Sequence, residues 1–321
     1  MTRRSTLIFP FPKSKIQMTY TKNFTAKPFL KWAGGKGQLI EQLRARIPES
    51  IKRSGIIEKY IEPFVGGGAV FFWLAQEYRI KKAYLYDINQ EIILAYQTIK
   101  QDVEILIHEL GKLQKEYLKR GDVDREDFYY DRRHEYNGFI KSEYKNNIVR
   151  RTALIVFLNK TCFNGLFRVN SQGLFNVPFG RYSNPTICDV ENLLTVSKLL
   201  QSAEIRCADF SKCIDKVDNQ SLVYLDPPYR PISATANFTN YSNRVFDDTE
   251  QKRLKQVIDT LNKKSAFVML SNSDPKNNDP KDNFFDVLYQ KYNVNRLKAS
   301  RMINCNAERR GLISEILVTN Y

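Results

Sequence analysis

One stretch of the sequence, residues 56–87, constrains the fold more than any other. Residues 56–64 (IIEKYIEPF) have the apolar pattern of a buried strand and run into the glycine-rich VGGG. The helix-like AVFFWLAQEY follows, and then the strand-like KAYLYD, which ends on Asp87. Strand, glycine turn, helix, strand and acid form the first half of a doubly wound nucleotide-binding sheet. The sequence therefore predicts a Rossmann-like α/β fold.

A change of pattern divides the chain into parts. Residues 91–192 carry long, charged helical stretches and then a loop-like run rich in Asn, Gly and Phe. Strand and helix patterns return after that, in 202–210, 221–229, 249–263, 265–272 and 313–321. We therefore expect residues 24–90 and 193–321 to form one catalytic domain, with a mostly helical domain inserted at 91–192. Residues 1–23 are expected to be a flexible leader.

The charge of the chain favours a polyanionic partner. Fifty Lys and Arg against 35 Asp and Glu leave a net charge of +15, and 42% of the residues are apolar, as in a folded protein. Residues 112–181 carry 14 Lys and Arg against 8 Asp and Glu, with aromatic and amide side chains between them. This composition is typical of a nucleic-acid-binding face. The alternative is a basic surface without a special partner.

Cysteine and histidine content excludes several kinds of chemistry. The five cysteines are an odd number and include no C-x-x-C pair, which indicates free thiols in a reducing cytoplasm. His108 and His134 are the only histidines, and neither has partners at metal-ligand spacing. No apolar run is long enough to span a membrane. We therefore expect a cytoplasmic protein with no membrane segment, no metal site and no histidine-based nucleophile.

The glycine turn indicates which nucleotide the fold binds. Gly66 and Gly68 match the first two glycines of G-x-G-x-x-G, but Phe71 stands where a dinucleotide fold has its third. Asp87 lies 21 residues after Gly66, the usual place of an acid that accepts hydrogen bonds from ribose hydroxyls. The pattern favours a nucleoside without a pyrophosphate over NAD. S-adenosyl-L-methionine is such a molecule.

A second dense segment, PFLKWAGGKGQLI (residues 28–40), precedes the first strand. Its glycines let the backbone approach a ligand closely, and Lys36 can pair with a ligand carboxylate. The indole of Trp32 can cover a sulfonium by cation–π attraction. The alternative is an ordinary glycine turn with Trp32 buried in the core.

The segment LVYLDPPYRP ends an apolar strand on a carboxylate, Asp226, and then stiffens the chain with two prolines. The prolines fix two φ angles and restrict the residues before them, so the carbonyls of the turn point in set directions. Open α/β sheets place their chemistry at this position, just past the carboxyl end of a strand. The alternative is a proline turn with a solvated aspartate.

Taken together, these segments resemble a known family. The chain resembles the Dam-type DNA adenine-N6 methyltransferases of class alpha over nearly all of residues 27–321. The motifs occur in the family's order: KWAGGK, EPFVGGG, YDIN, NGLFRVNSQGLFNVPFGRY, DPPY and SATANF. Two departures stand out: Phe163 takes a place often held by tyrosine, and the leader 1–23 has no counterpart in the pattern.

The resemblance implies methylation of N6 of a flipped-out adenine, commonly in GATC, with S-adenosylmethionine as the donor. Asp226 and the carbonyl of Pro227 would accept the two N6 hydrogens, and Tyr229 would stack on the base. Two such acceptors favour a pyramidal nitrogen whose lone pair points at the methyl group. The transfer is then a direct displacement with no covalent enzyme intermediate.

The resemblance also implies binding residues and partners. The cofactor site comprises Trp32, Lys36, Phe64, Gly66, Gly68, Asp87, Asp209, Phe210 and Asp226. The DNA contacts comprise Lys31, Leu166, Arg168, Asn176, Pro178 and Arg181. The expected partner is double-stranded DNA in a bacterial or phage setting, and a cognate restriction endonuclease acting independently is compatible with it. Two alternatives remain: an RNA adenine methyltransferase, and a DNA-binding relative that has lost its chemistry.

Overall fold

The computed structural model describes residues 25–32, 34–141, 147–230, 246–300 and 312–321. The strands are β1 (Ile56–Glu62), β2 (Arg79–Asp87), β3 (Ala203–Cys207), β4 (Ser221–Leu225), β5 (Phe267–Ser273), β6 (Asn293–Ser300) and β7 (Leu312–Thr319). The α-helices are α1 (Ile40–Arg44), α2 (Glu49–Ser54), α3 (Ala69–Glu77), α4 (Gln90–Leu118), α5 (Asp122–Lys141), α6 (Ile148–Thr161), α7 (Val190–Leu200), α8 (Asp248–Lys263) and α9 (Phe284–Leu288). The leader 1–23, the SATANF segment and Cys305 lie outside the described residues.

Within these ranges the strands form one sheet, in the order β3-β2-β1-β4-β5-β7-β6. Every pairing from β3 to β5 is parallel, and β7 runs antiparallel to both β5 and β6. The strand order reverses between β1 and β4, and open α/β sheets bind ligands at the carboxyl ends of the strands at such a point. The predicted Rossmann-like α/β fold is confirmed.

Alternating residues of the central strands feed two separate cores, one on each face of the sheet. Tyr60, Leu222 and Tyr224 face one core, while Ile61 and Val223 face the other. This is the period of two that extended backbone imposes. Strands buried on both faces read as continuous apolar runs, which is why SLVYL, buried throughout β4, stands out in the sequence.

The helices α4, α5 and α6 lie between β2 and β3 in the sequence. Asn89 caps the start of α4 by accepting a hydrogen bond from the amide of Glu91, and α4 has a kink at Asp102 (φ −130°, ψ 33°). The hydroxyls of Thr98 and Thr152 are hydrogen-bonded at 2.9 Å, which joins α4 to the buried helix α6. Among the described helices, none is both long and apolar enough to cross a bilayer.

Candidate active site

Three of the predicted segments meet at the point where the strand order reverses. The glycine turn follows β1, Asp87 ends β2, and Asp226 follows β4 directly. Because β1 pairs in parallel with both β2 and β4, their carboxyl ends open at one edge of the sheet. The fold therefore brings together residues that are far apart in the chain.

The glycine turn is a place where side chains do not fit. Gly66 and Gly68 have positive φ angles of 46° and 73°. A Cβ on Gly66 would lie 2.9 Å from the indole of Trp32, and one on Gly68 would lie 2.2 Å from the Tyr96 hydroxyl. Both positions therefore need glycine for conformation and for space. Trp32 is half-buried, packs against this turn and lies 5.7 Å from the ring of Phe167.

The third glycine of a dinucleotide fold is replaced by a core aromatic residue. Phe71 is fully buried in α3, and its ring stacks on that of Tyr60 at 6.0 Å. Since the helix after the turn packs on β1 through this large side chain, it cannot pack as closely as a glycine would allow. The packing agrees with the expectation of a ligand without a pyrophosphate.

Asp87 is held in place by backbone donors. The amide of Gly66 donates to Oδ2 at 3.0 Å, and the amide of Asn89 donates to Oδ1 at 2.8 Å. Burial raises the pKa of Asp87 to about 6, although these amides favour the ionised form. The carboxylate oxygens retain lone pairs for further donors such as the hydroxyls of a ribose.

Lys36 lies at the centre of the site, with its side chain 3% exposed. Its Nζ lies 2.8 Å from Oδ1 of Asp226 and donates to the Gly34 carbonyl at 3.0 Å and the Tyr229 hydroxyl at 3.1 Å. Burial alone would lower the pKa of Lys36, but the negative charge of Asp226 holds that pKa well above its usual value. The ammonium is therefore charged, and its partner is a carboxylate of this chain.

The DPPY turn is fixed on both sides. Asp226 is 21% exposed and paired with Lys36, so it differs from the solvated aspartate of an ordinary turn. Burial raises the pKa of Asp226, and Lys36 opposes that rise. On the far side, Arg230 pairs with Asp248 at 2.5 Å and with Asp282 at 2.6 Å. Tyr229 lies between these anchors with its side chain 39% exposed.

Phe64 and Phe210 form an aromatic wall beside the glycine turn. Their rings stack at 5.3 Å, and the guanidinium of Arg253 lies 3.9 Å from the centroid of the Phe210 ring. Asp209 already has partners, since its carboxylate accepts from Arg253 at 2.8 Å and from the amide of Ser211 at 3.0 Å. The hydrogen bond from Arg253 holds the pKa of Asp209 well below its usual value. The side chain of Asp209 therefore serves the wall; a role at the cofactor stays a prediction.

The predicted DNA-reading segment forms a hairpin-like loop. Backbone bridges join Cys162 to Phe179 and Val169 to Phe175. Arg168 and Asn176 face each other across it: Nε of Arg168 donates to Oδ1 of Asn176 at 2.8 Å. Three further predicted DNA contacts lie on the same segment: Leu166 half-buried, Pro178 exposed, and Arg181 exposed with a φ of 55°.

The loop rests on α5, a contact that the sequence reasoning missed. Asn137 donates to the Phe175 carbonyl at 3.0 Å and accepts from the Phe175 amide at 2.9 Å. Tyr129 and Arg133 both donate to the Val177 carbonyl, at 2.7 Å and 3.2 Å. Tyr129, Arg133 and Asn137 are spaced at i, i+4 and i+8, so they share one face of α5. This spacing is visible in the sequence and could have indicated a common contact.

Lys31 connects the KWAGGK segment to the same loop. Its backbone amide donates to Oδ1 of Asn159 at 2.7 Å, and its Nζ lies 4.4 Å from the centroid of the Tyr182 ring. A Cβ on Gly165 would lie 2.3 Å from the Lys31 side chain, so the two segments are in close contact. Phe163, the departure from the family pattern, is 51% exposed at the start of the loop.

Two carboxylates at this site were not predicted. Glu62 is 2% exposed and accepts from the Tyr60 hydroxyl at 2.8 Å; burial raises its pKa well above the usual value. The sequence feature that could have identified Glu62 is its position as an acid at the end of a predicted strand. Glu315, on β7, lies 3.7 Å from Nζ of Lys36, and no sequence signal pointed to it. In the part of the chain that the structure describes, no group of three His, Cys, Asp or Glu could hold a metal ion.

Comparison with known proteins agrees with this geometry. Residues 32–303 match the family described as D12 class N6 adenine-specific DNA methyltransferase. The chain is 47% identical over 296 residues to the Type II methyltransferase M.MjaIII of Methanocaldococcus jannaschii, covering 92% of this chain and 99% of that protein. It is 38% identical to the Type II methyltransferase M1.LlaDCHI of Lactococcus lactis subsp. cremoris, covering 92% and 95%. It is 32% identical to the DNA adenine methylase of Escherichia coli K12, covering 91% and 94%.

Proposed function

The chain belongs to the D12 class of N6 adenine-specific DNA methyltransferases, and on that premise we propose that it methylates the adenine of GATC in double-stranded DNA. Site-specific methylation of adenine N6 in DNA follows from the family and from its relatives. What we propose beyond this family assignment is the GATC target sequence and the roles of individual residues. The observation that supports it best is Asp226, held by Lys36 directly after β4 and beside the glycine turn.

The residues of the site fit S-adenosylmethionine, the methyl donor that a methyltransferase of this family implies. The carboxylate of Asp87 is aimed by two amides and can accept from the ribose hydroxyls. Gly66 and Gly68 leave room for the nucleoside, with Phe64 and Phe210 as a wall for its adenine. When bound, the cofactor supplies an electrophilic methyl group on a sulfonium.

In the proposed mechanism the chain prepares the amine to attack. The exocyclic nitrogen is a poor nucleophile because its lone pair is delocalised into the purine. Asp226 and the Pro227 carbonyl accept hydrogen bonds from its two N–H groups, which favours a pyramidal nitrogen with its lone pair toward the methyl group, and one of these hydrogens leaves as a proton after the transfer. Tyr229, which is partly exposed, stacks on the flipped-out base. The prolines fix the direction of the Pro227 carbonyl before the base arrives, which limits the reorganisation that is needed.

We further propose residues 91–192 as the target-recognition domain, and residues 24–90 with 193–321 as the catalytic domain. The loop that carries Arg168 and Asn176 rests on α5, which lies within the inserted part. Arginine is the commonest reader of guanine because its fork matches O6 and N7 in the major groove. Lys31 would contribute to DNA binding beside the loop.

Methylation of host-free DNA tests the proposal. Purified protein and S-adenosylmethionine are incubated with unmethylated plasmid, and modified bases are sequenced. We expect N6-methyladenine in GATC. The methylated plasmid should also resist an endonuclease that cuts only unmethylated GATC, because a methyltransferase that accompanies such an endonuclease must protect the DNA from it. Methyladenine confined to another site would refute GATC. Preferential methylation of RNA transcripts would favour the RNA alternative, and no methylation at all would favour an inactive DNA-binding relative.

Arg168→Ala is expected to relax discrimination at an outer base pair of the site. Losing a bidentate contact to guanine costs about 1–3 kcal/mol of discrimination, so AATC gains methylation relative to GATC. Rates on GATC and its one-letter neighbours at two salt concentrations measure this.

A phosphate contact predicts a different result for the same variant. All sequences would lose activity alike, and the salt dependence of binding would fall. Uniform loss would thus rule out base reading by Arg168. Arg206→Ala is the matched control, because Arg206 is an exposed arginine paired with Glu204 on β3. The control should leave both discrimination and salt dependence unchanged.

A further inference from the structure

The ammonium of Lys36 has more acceptors than it has hydrogens. It donates to the Gly34 carbonyl and the Tyr229 hydroxyl, and it pairs with Oδ1 of Asp226 at 2.8 Å. An ammonium has three N–H groups, so these contacts use all of them. Oε2 of Glu315 lies 3.7 Å from Nζ, close enough for an ion pair and too far for a hydrogen bond.

Oε2 of Glu315, which lacks a hydrogen-bond donor in the ranges described, belongs to a largely buried side chain. The Glu315 side chain is 12% exposed, and its Oε2 is buried without a hydrogen-bond donor in the described part of the chain. A buried polar atom left unpaired costs stability, so each such atom in a folded protein calls for an explanation, of which a functional role is one. Glu315 is therefore a second carboxylate beside Lys36, close enough for an ion pair but not hydrogen-bonded to the ammonium.

We propose that Glu315 is a positioning residue that takes over Lys36 when Asp226 turns to the target adenine. This inference rests on the proposed role of Asp226 as acceptor of an N6 hydrogen. Oδ1 of Asp226 gains the N6–H donor and gives up Lys36, while Oε2 of Glu315 gains the Lys36 donor. Lys36 donates three hydrogen bonds before and after the exchange, and no covalent bond changes in this step.

The exchange explains why two carboxylates surround one buried lysine. If Lys36 had only Asp226, releasing that carboxylate to the substrate would leave a buried ammonium without a counter-ion, which is strongly unfavourable. With Glu315 beside it, the charge of Lys36 stays compensated throughout. Asp226 is then available to the substrate at little cost.

Substitutions at position 315 test the exchange. Glu315→Leu keeps the size of the side chain and removes the acceptor, while Glu315→Gln keeps a neutral acceptor. We expect the single-turnover rate of methyl transfer to fall at least about tenfold in the leucine variant and less in the glutamine variant. Cofactor affinity, measured by calorimetry, should stay within about threefold of the parent in both.

The pH profile provides a readout that a purely structural role would not change. Among the described residues, the charged or titratable groups that face Asp226 are Lys36, Glu62, Tyr224, Tyr229 and Glu315. The negative charge of Glu315 adds to the rise that burial causes in the pKa of Asp226. Glu315→Gln removes that charge, so the acid limb of the rate profile should move to lower pH. The control Asp286→Asn, on α9 and paired with Lys276 and Arg296, should leave the limb in place.

The outcomes separate this inference from the proposed function. A folded Glu315→Leu protein with the parent rate would overturn the exchange, as would a Glu315→Gln protein with an unmoved acid limb. Parallel loss of rate and cofactor affinity would also overturn it, since Glu315 would then act through the cofactor site. If Asp226→Ala retained the parent rate, the catalytic role proposed for Asp226 would fail, whatever the result at position 315, and methylation of another sequence would refute GATC. If the leucine variant does not fold, the glutamine variant still decides the matter.

Discussion

Asp226→Ala is expected to lower the rate of methyl transfer by at least about 10²–10³-fold, the usual effect of deleting one group aimed at a developing charge. Asp226 accepts an N6 hydrogen most strongly as the nitrogen becomes pyramidal, so the loss falls on the rate and hardly on substrate binding. Single-turnover transfer to a GATC duplex measures it. Transfer near the parent rate would contradict the role given to this carboxylate.

The same variant is expected to remain folded. Without Asp226, Lys36 keeps the Gly34 carbonyl and the Tyr229 hydroxyl, and Glu315 remains as a counter-ion 3.7 Å away. Circular dichroism and thermal unfolding should therefore resemble those of the parent. Unchanged binding of S-adenosylmethionine would further separate a chemical defect from a structural one.

Asp87→Ala is expected to weaken S-adenosylmethionine binding by about 1.5–3 kcal/mol, the usual cost of losing a charged hydrogen-bond partner. The carboxylate at the end of β2 is already aimed by the amides of Gly66 and Asn89. Calorimetric titration of the cofactor measures the change. Unchanged affinity would mean that Asp87 only supports the turn.

The pH dependence of binding is the control for Asp87. Burial raises its pKa to about 6 in the free protein, and only the ionised form accepts from both ribose hydroxyls. Binding therefore favours ionisation and lowers this pKa, so the affinity of the parent should fall as the pH drops below about 6. That fall should be absent in the alanine variant. A parallel fall in both proteins would assign it to another group.

Most of the fold could be predicted from local patterns in the sequence. The strand predicted at 56–64 appears as Ile56–Glu62, and the helix predicted at 249–263 appears as Asp248–Lys263. Both are elements in which the spacing of apolar residues follows directly from which face is buried. The glycine turn was equally readable, since positive φ angles at Gly66 and Gly68 restrict the residue type.

Long-range partners could not be read in the same way. The cofactor contact predicted for Lys36 stays a prediction, but its pairing with Asp226 and the position of Glu315 beside it were not predicted. That contact depends on β7 lying next to β5, and strand order is not encoded in any local spacing. The support of the loop by Asn137 was missed although the spacing of Tyr129, Arg133 and Asn137 places them on one face of α5.

The order of the last strands has a consequence for folding. In the described sheet β6 pairs only with β7, although β6 comes first in the chain. β6 therefore joins the sheet only through β7, so its place depends on the pairing of β7 with β5. Since Glu315 lies on β7, the same pairing brings Glu315 beside Lys36, which is far from it in the chain.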